Sequence, residues 1–226
     1  SISVRPCVAS DTPSAMRTAC ATSICARSRA ECGRFVRDFS RQASKASSSS
    51  LDTAFPSRCD GGTGTADTLD YAVSSAGVVV KLFDFTASGG EAAGDTFSGI
   101  ENITGSALND VLSGDSAANL LVGGTGHDGL FGGAGNDRLD GGAGNDTLQG
   151  SLNSDTFVFG AGYGQDRVLD FTDGADRVDL LAGLTFAGLA LSTIAGGVRV
   201  AIIATPTTFI ELVGVTIAQV TAGDFV

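Results

Sequence analysis

The chain contains a single histidine, no tryptophan, one methionine and four prolines. One histidine cannot supply the paired imidazoles of an H-E-x-x-H zinc helix. Neither a G-x-S-x-G nucleophile elbow nor a phosphate loop ending in G-K-[ST] occurs. Basic side chains are scarce beyond residue 59: five Lys/Arg face twenty-one Asp/Glu, a net of −16. That balance excludes nucleic acid as a partner, because phosphate binding needs basic patches. No apolar run is long enough to span or insert into a membrane. The N-terminal part also lacks the short apolar core of a secretory signal peptide.

Residues 1–59 have a different composition from the rest. Nine Lys/Arg against four Asp/Glu give a net of +5 there, and all five cysteines (Cys7, Cys20, Cys25, Cys32, Cys59) fall in this stretch. Of the 32 glycines only Gly33 does. Such a break in charge, cysteine and glycine usage sets a boundary near residue 59. The cysteine spacings give no metal-knuckle pattern, and an odd count leaves one thiol outside any closed disulfide set. The reading is a disordered leader, or a start read in the wrong frame, with room for one short amphipathic helix over 34–42. A first residue of Ser1 and a lone Met16 fit a fragment of a longer polypeptide.

Glycine and aspartate dominate what remains, and they are periodic. A nine-residue unit runs six times in register from Gly105 to Val158: GSALNDVLS, GDSAANLLV, GGTGHDGLF, GGAGNDRLD, GGAGNDTLQ and GSLNSDTFV. The middle three units match G-G-x-G-x-D-x-U-x throughout, U being a large apolar residue. A fixed period of this kind predicts a solenoid. Positions one, two and four are glycine because a tight turn needs left-handed dihedrals and close backbone approach. Position six is Asp110, Asp128, Asp137, Asp146 or Asp155, with Asn119 as the exception. Position eight is Leu112, Leu121, Leu130, Leu139, Leu148 or Phe157. A three-residue strand x-U-x turns one side chain inward and its neighbours outward. Stacked turns then make a continuous apolar row. A flexible glycine-rich linker does not place an apolar residue at every ninth position.

The repeat closely resembles the RTX (hemolysin-type) calcium-binding repeat. That resemblance implies an all-β parallel β-roll, in which two units make one turn and calcium lies between loops two units apart. It would stack Asp110, Asp128 and Asp146 on one side, and Asn119, Asp137 and Asp155 on the other. The implied ligands are these carboxylates and the backbone carbonyls around Gly124, Gly126, Gly133, Gly135, Gly142 and Gly144. The best-formed pairs are 128/146 and 137/155. The 110/128 pair is weaker because Ser106 and Leu108 replace glycines, and the 119/137 pair is weakest because Asn119 lacks the charge. All-oxygen donors suit a hard cation of calcium size.

The likeness continues outside the array. GGTGTADTLDY (61–71) resembles a copy with one extra residue, and GDTFSGIENITGSALNDVL (94–112) resembles irregular leading turns. GYGQDRVLDFTDGADRVDL (162–180) and ELVGVTIAQVTAGDFV (211–226) resemble the serralysin-type (peptidase M10) C-terminal domain. The organisation is therefore a leader over 1–59, irregular turns and an N-terminal cap over 60–104, calcium-binding repeats over 105–158, and a β-rich C-terminal cap with a secretion signal over 159–226. Alternation in AGVVVKLFDF predicts one or two strands. VRVAII (198–203) and TFIELVGV (208–215) read as strands linked by Thr205-Pro206-Thr207. Phe157, Phe159, Tyr163 and Phe171 are placed where roll meets cap.

His127 occupies the variable fifth position of a loop and reads as a solvent-facing residue, so no Ser-His-Asp triad is available. The carboxylates are assigned to metal loops by their period, and no catalytic site is expected. Without calcium, stacked carboxylates repel and glycine-rich loops do not recover their ordering entropy. With calcium, each ion ties two loops and stabilises the fold by linkage. The resemblance implies a secreted, extracellular protein exported by type I (ABC-transporter) machinery. Alternatives are the C-terminal portion of a serralysin-like zinc metalloprotease, and a calcium-dependent adhesin or surface-layer component.

Overall fold

Short strands separated by nine residues cannot pair with their neighbours in sequence. They pair with the strand two units away, and the result is a parallel roll. The computed structural model describes residues 58–181 and 183–226. The leader and the helix expected over 34–42 lie outside these residues. Among the described residues no helix is long and apolar enough to cross a membrane.

Two sheets form the body. One contains β2 (Thr68–Asp70), β6 (Asn102–Thr104), β8 (Leu120–Gly126), β10 (Arg138–Gly144), β12 (Thr156–Phe159) and β14 (Arg177–Leu180). All its pairings are parallel, in the order β14-β12-β10-β8-β6-β2. The other has a parallel centre of β3 (Val79–Lys81), β7 (Val111–Ser113), β9 (Gly129–Ala134), β11 (Thr147–Leu152) and β13 (Gln165–Val168). Register follows the period: Leu139 faces Leu121 and Leu148 faces Leu130, each eighteen residues apart. Strands β8 to β11 are longer than three residues because their loop residues also ladder, Gly142–Gly144 against Gly124–Gly126 in the first sheet and Ser151–Leu152 against Gly133–Ala134 in the second.

The inward positions make two facing rows. Leu69, Ile103, Leu121, Leu139, Phe157 and Val178 line one sheet; Val80, Leu112, Leu130, Leu148 and Val168 line the other, and all belong to one buried core. Each strand turns one large side chain inward, so no strand is stable without its neighbours.

Antiparallel strands close the second sheet at both ends. At the N-terminal end β4 (Thr86–Ser88) folds back on β3, so AGVVVKLFDF contributes one strand and then a turn. A separate pair joins β1 (Arg58–Asp60) to β5 (Thr96–Ser98), and β1 runs across the boundary drawn at residue 59. At the C-terminal end β15 (Leu189–Ile194), β16 (Gly197–Ile202) and β17 (Thr205–Val213) form an antiparallel meander that joins the roll through β13. Thr205-Pro206-Thr207 is not the link expected from sequence. It lies inside β17, and the turn is Ile203-Ala204. Pro206 is tolerated because β13 pairs only from Phe209 onward and the register with β16 shifts at Ala201/Ile202, so its missing N–H breaks no ladder bond. Phe157 and Phe171 meet with ring centroids 6.2 Å apart, while Tyr163 is only half-buried. The final residues add to the other sheet: Val226 exchanges backbone hydrogen bonds with Val178 and Leu180, and Phe225 packs on Phe186.

Candidate metal centre

Most strands of the roll body are preceded by an acidic or amide residue that points back between loops; β3 instead follows Val78, and Asp166 lies inside β13. Stacking the strands stacks these residues into two columns. In the first, the Val78 N–H donates to Asp110 Oδ1 (2.7 Å), Asp110 N–H to Asp128 Oδ1 (2.8 Å), Asp128 N–H to Asp146 Oδ1 (2.8 Å) and Asp146 N–H to Asp166 Oδ1 (3.1 Å). In the second, Asp67 N–H donates to Glu101 Oε2 (3.0 Å), Asn119 N–H to Asp137 Oδ1 (2.8 Å), Asp137 N–H to Asp155 Oδ1 (2.9 Å) and Asp155 N–H to Asp176 Oδ1 (2.9 Å). One carboxylate oxygen per rung is thus spent on the loop below.

The other oxygen separates the loops into two kinds. Oδ2 of Asp128, Asp137, Asp146 and Asp155 is buried without a hydrogen-bond partner, as is Oδ2 of Asp67 and Asp166. A buried carboxylate oxygen with no donor is costly and calls for an explanation. By contrast, Asp110 Oδ2 accepts from the Ser106 N–H (2.6 Å) and hydroxyl (3.1 Å). Asn119 is closed as well: Oδ1 accepts from Asp115 N–H and Nδ2 donates to the Glu101 carbonyl, both at 2.8 Å. Asp176 Oδ2 accepts from Thr172 N–H at 2.8 Å.

Glycine serves these loops for two separate reasons. At position one, a Cβ on Gly123 would strike Asp128 Oδ2 and the Gly141 carbonyl of the next loop on that side. At position two, Gly142 has φ of 86° and a Cβ there would strike the Gly124 carbonyl of the preceding loop on that side. Left-handed dihedrals therefore belong to positions two and four, and bare contact to position one. The loop ending at Asp155 keeps positive φ at Ser151 (77°) and Asn153 (84°) without glycine.

Burial dominates the electrostatics. It pushes the Asp128 and Asp137 carboxyls up to about 7, Asp155 to about 6 and Asp166 to about 8, with the neighbouring rung's carboxylate adding to each. Asp146 is raised as well, again by burial first. Among the described residues no three His, Cys, Asp or Glu side chains converge into a metal cluster by themselves. The donor set fits calcium in another way: one acidic oxygen per loop, aimed inward, among loops whose backbones touch at the glycines.

His127 is exposed, yet it is not a free loop residue. Its N–H donates to Asn109 Oδ1 and its Nδ1 accepts from Asn145 N–H at 2.9 Å, while Asn145 Oδ1 accepts from Gln165 N–H. Position five is thus a second, outer ladder, where Asn and His suit an acceptor role. Sequence reasoning also missed Asp67, Glu101, Asp166 and Asp176 as column members. The signal was present in Gly162-x-Gly164-x-Asp166 and Gly174-x-Asp176, which keep the last positions of the unit at spacings of 20 and 21 residues.

A family model described as the RTX calcium-binding nonapeptide repeat matches residues 95–130 and 131–165. Among solved structures the chain is similar to the extracellular lipase LipA from Serratia marcescens, with 22% identity and a TM-score of 0.46 over 58% of this chain. It spans 21% of that lipase. It is also similar to the AlgE6R3 subunit from the Azotobacter vinelandii mannuronan C5-epimerase, with 32% identity and a TM-score of 0.43, over 53% of this chain and 78% of that subunit. No curated protein matches it. The family match falls on the stacked loops whose carboxylates form the two columns, and residues 95–165 carry RTX calcium-binding nonapeptide repeats, folded as a parallel β-roll.

Proposed function

We propose that the chain is a secreted, extracellular domain that folds when calcium fills the gaps between its loops, supports type I export by remaining unfolded until then, and carries no catalytic activity of its own. The observation that favours this reading is the set of buried, unpartnered Oδ2 atoms on Asp128, Asp137, Asp146 and Asp155. No hydrogen bond within the protein satisfies them, so the folded roll would be poorly stable without a cation. The pairs Asp128/Asp146 and Asp137/Asp155 would hold calcium, helped by carbonyls around Gly124, Gly126, Gly133, Gly135, Gly142 and Gly144. Asp110 would contribute less, since Ser106 already occupies its second oxygen. Extracellular calcium modules bind with dissociation constants of order 10⁻⁴–10⁻³ M, which would leave such a chain unfolded in a low-calcium cytosol.

Far-UV circular dichroism of the full chain during calcium titration, with magnesium as control, tests this. A cooperative gain of β signal at roughly millimolar calcium, absent with magnesium, is the expected result. A spectrum already folded in chelator would remove the folding switch from the reading.

A further inference from the structure

The N-terminal end of the roll carries features that calcium binding does not use. Cys59 is the inward residue of β1, 3% exposed, and it is disulfide-bonded. Every other cysteine of the chain, Cys7, Cys20, Cys25 and Cys32, precedes the described residues. The partner sulfur therefore belongs to the segment that runs into β1.

An exposed apolar turn stands beside this cysteine. Cys59 is in register with Phe97 of β5, and the Phe97 ring meets that of Phe85 edge-on, with centroids 6.4 Å apart. Phe85 lies in the turn between β3 and β4 with φ of 59°, a conformation that suits glycine and is costly for an aromatic residue. The same turn leaves two large side chains in solvent, Phe83 at 59% and Phe85 at 55% exposure. A strained turn that holds two rings in water is unfavourable unless something covers them.

Charge points to the occupant. Residues 58–104 carry seven Asp/Glu against two Lys/Arg, a net of −5, and Asp60, Asp84 and Glu91 among them are exposed. Residues 1–57 carry eight Lys/Arg against four Asp/Glu, a net of +4. The leader also has apolar side chains to offer, Phe35, Val36 and Phe39, within a few positions of Cys32. Opposite charge draws the two segments together, and a disulfide fixes one point of contact.

We propose that the N-terminal cap is a docking surface for the chain's own leader: residues 1–57 are tied to Cys59 by a disulfide from a leader cysteine, and they cover the turn that displays Phe83 and Phe85. The bond forms as the two thiols pass two electrons and two protons to a disulfide oxidant, which leaves as two thiols. It persists in an oxidising compartment, and in that respect rests on the secreted reading above. The docked leader shields the first turns of the roll, at the end of the larger sheet opposite the β15–β17 meander.

Peptide mapping of the full chain tests the link, after refolding in calcium with oxidised and reduced glutathione and alkylation without reduction. The expected product is a monomer in which a Cys59 peptide is joined to one carrying Cys7, Cys20, Cys25 or Cys32. Alkylated Cys59, or Cys59 joined to a second copy, overturns it. Trypsin tests the docking, because cleavage within the leader follows the fraction of time it is undocked. Phe83→Ser, a change at an exposed position, should keep the cross-link and the β signal yet speed leader cleavage about tenfold, and Phe83→Leu should restore protection. Equal cleavage rates in wild type and Phe83→Ser overturn the docking surface. The buffer supplies the oxidant and the cross-link is scored by mass, so failure of the secreted or calcium reading is told apart from failure of the link.

Discussion

Loops at the start of the array and loops in its middle share one backbone path and one acidic position, yet they treat the acid in opposite ways. At the start, Ser106 wraps Asp110, and Asp115 and Glu101 close Asn119, so each side chain is satisfied by protein. In the middle, glycines replace the wrapping residues, and Asp128, Asp137 and Asp146 each keep one buried oxygen without a donor. A glycine at position two therefore does more than permit a turn. In the starting loops the position-two residue turns its backbone N–H onto the side chain at position six, with the Ser106 hydroxyl adding a second bond; in the middle loops Oδ2 of the aspartate has no such donor and stays open to an ion. The first kind of loop satisfies its own polar side chain, and the second leaves a buried carboxylate oxygen open to a metal.

The largest effect should come from a change that both kinds of loop share. Leu139 is fully buried in the inner row between Leu121 and Phe157. Leu139→Ala should destabilise the calcium-loaded roll by about 2–5 kcal/mol, read from denaturant melts. The row is continuous, so the loss should appear as one transition and not as melting of the middle alone. An unchanged melt would mean the apolar row is not what joins the loops.

A smaller effect should separate the two kinds. Asp146→Ala removes an oxygen that nothing else uses and the acceptor for Asp128 N–H. Asp110→Ala removes an oxygen that Ser106 already occupies. The calcium midpoint of folding should rise about tenfold for Asp146→Ala and only about twofold for Asp110→Ala. Equal midpoints would show that wrapping by Ser106 does not keep calcium away.

The roll was legible because nine residues is a rigid period. Leu112 through Phe157 and Asp110 through Asp155 could be assigned to core and loop from spacing alone. What was hidden lay where the period breaks. Asp166 and Asp176 are displaced by two and three residues, so a count in nines passes over them, although their strands remain in register through Val168 and Val178. Thr205-Pro206-Thr207 looked like a turn because proline ends most strands, but a bulge next to an unpaired stretch of β17 removed the penalty. The role of His127 could not be read either, since its partner Asn145 is set by stacking and not by sequence neighbours.

The smallest and most graded effect concerns protons, which compete with calcium for the buried aspartates. Unfolded aspartates titrate near 3.8, while burial raises Asp128 and Asp137 to about 7 and Asp155 to about 6 in the folded roll. Between these values the folded state holds protons that the unfolded state has released. With Asp166 raised to about 8, stability of the calcium-free roll falls as pH rises from about 4 to about 8, and levels off above that. Calcium displaces the same protons, so its affinity should strengthen across the same window. In chelator, β signal should be greater at pH 5 than at pH 8, and the calcium midpoint should be lower at pH 8. Asn119 contributes nothing to this slope, because an amide does not ionise in this range. A triple replacement of Asp128, Asp137 and Asp155 by Asn should therefore reduce the pH dependence, leaving the part held by Asp146 and Asp166. If it leaves the slope intact, the protons are held elsewhere, and the division between the two kinds of loop is not electrostatic.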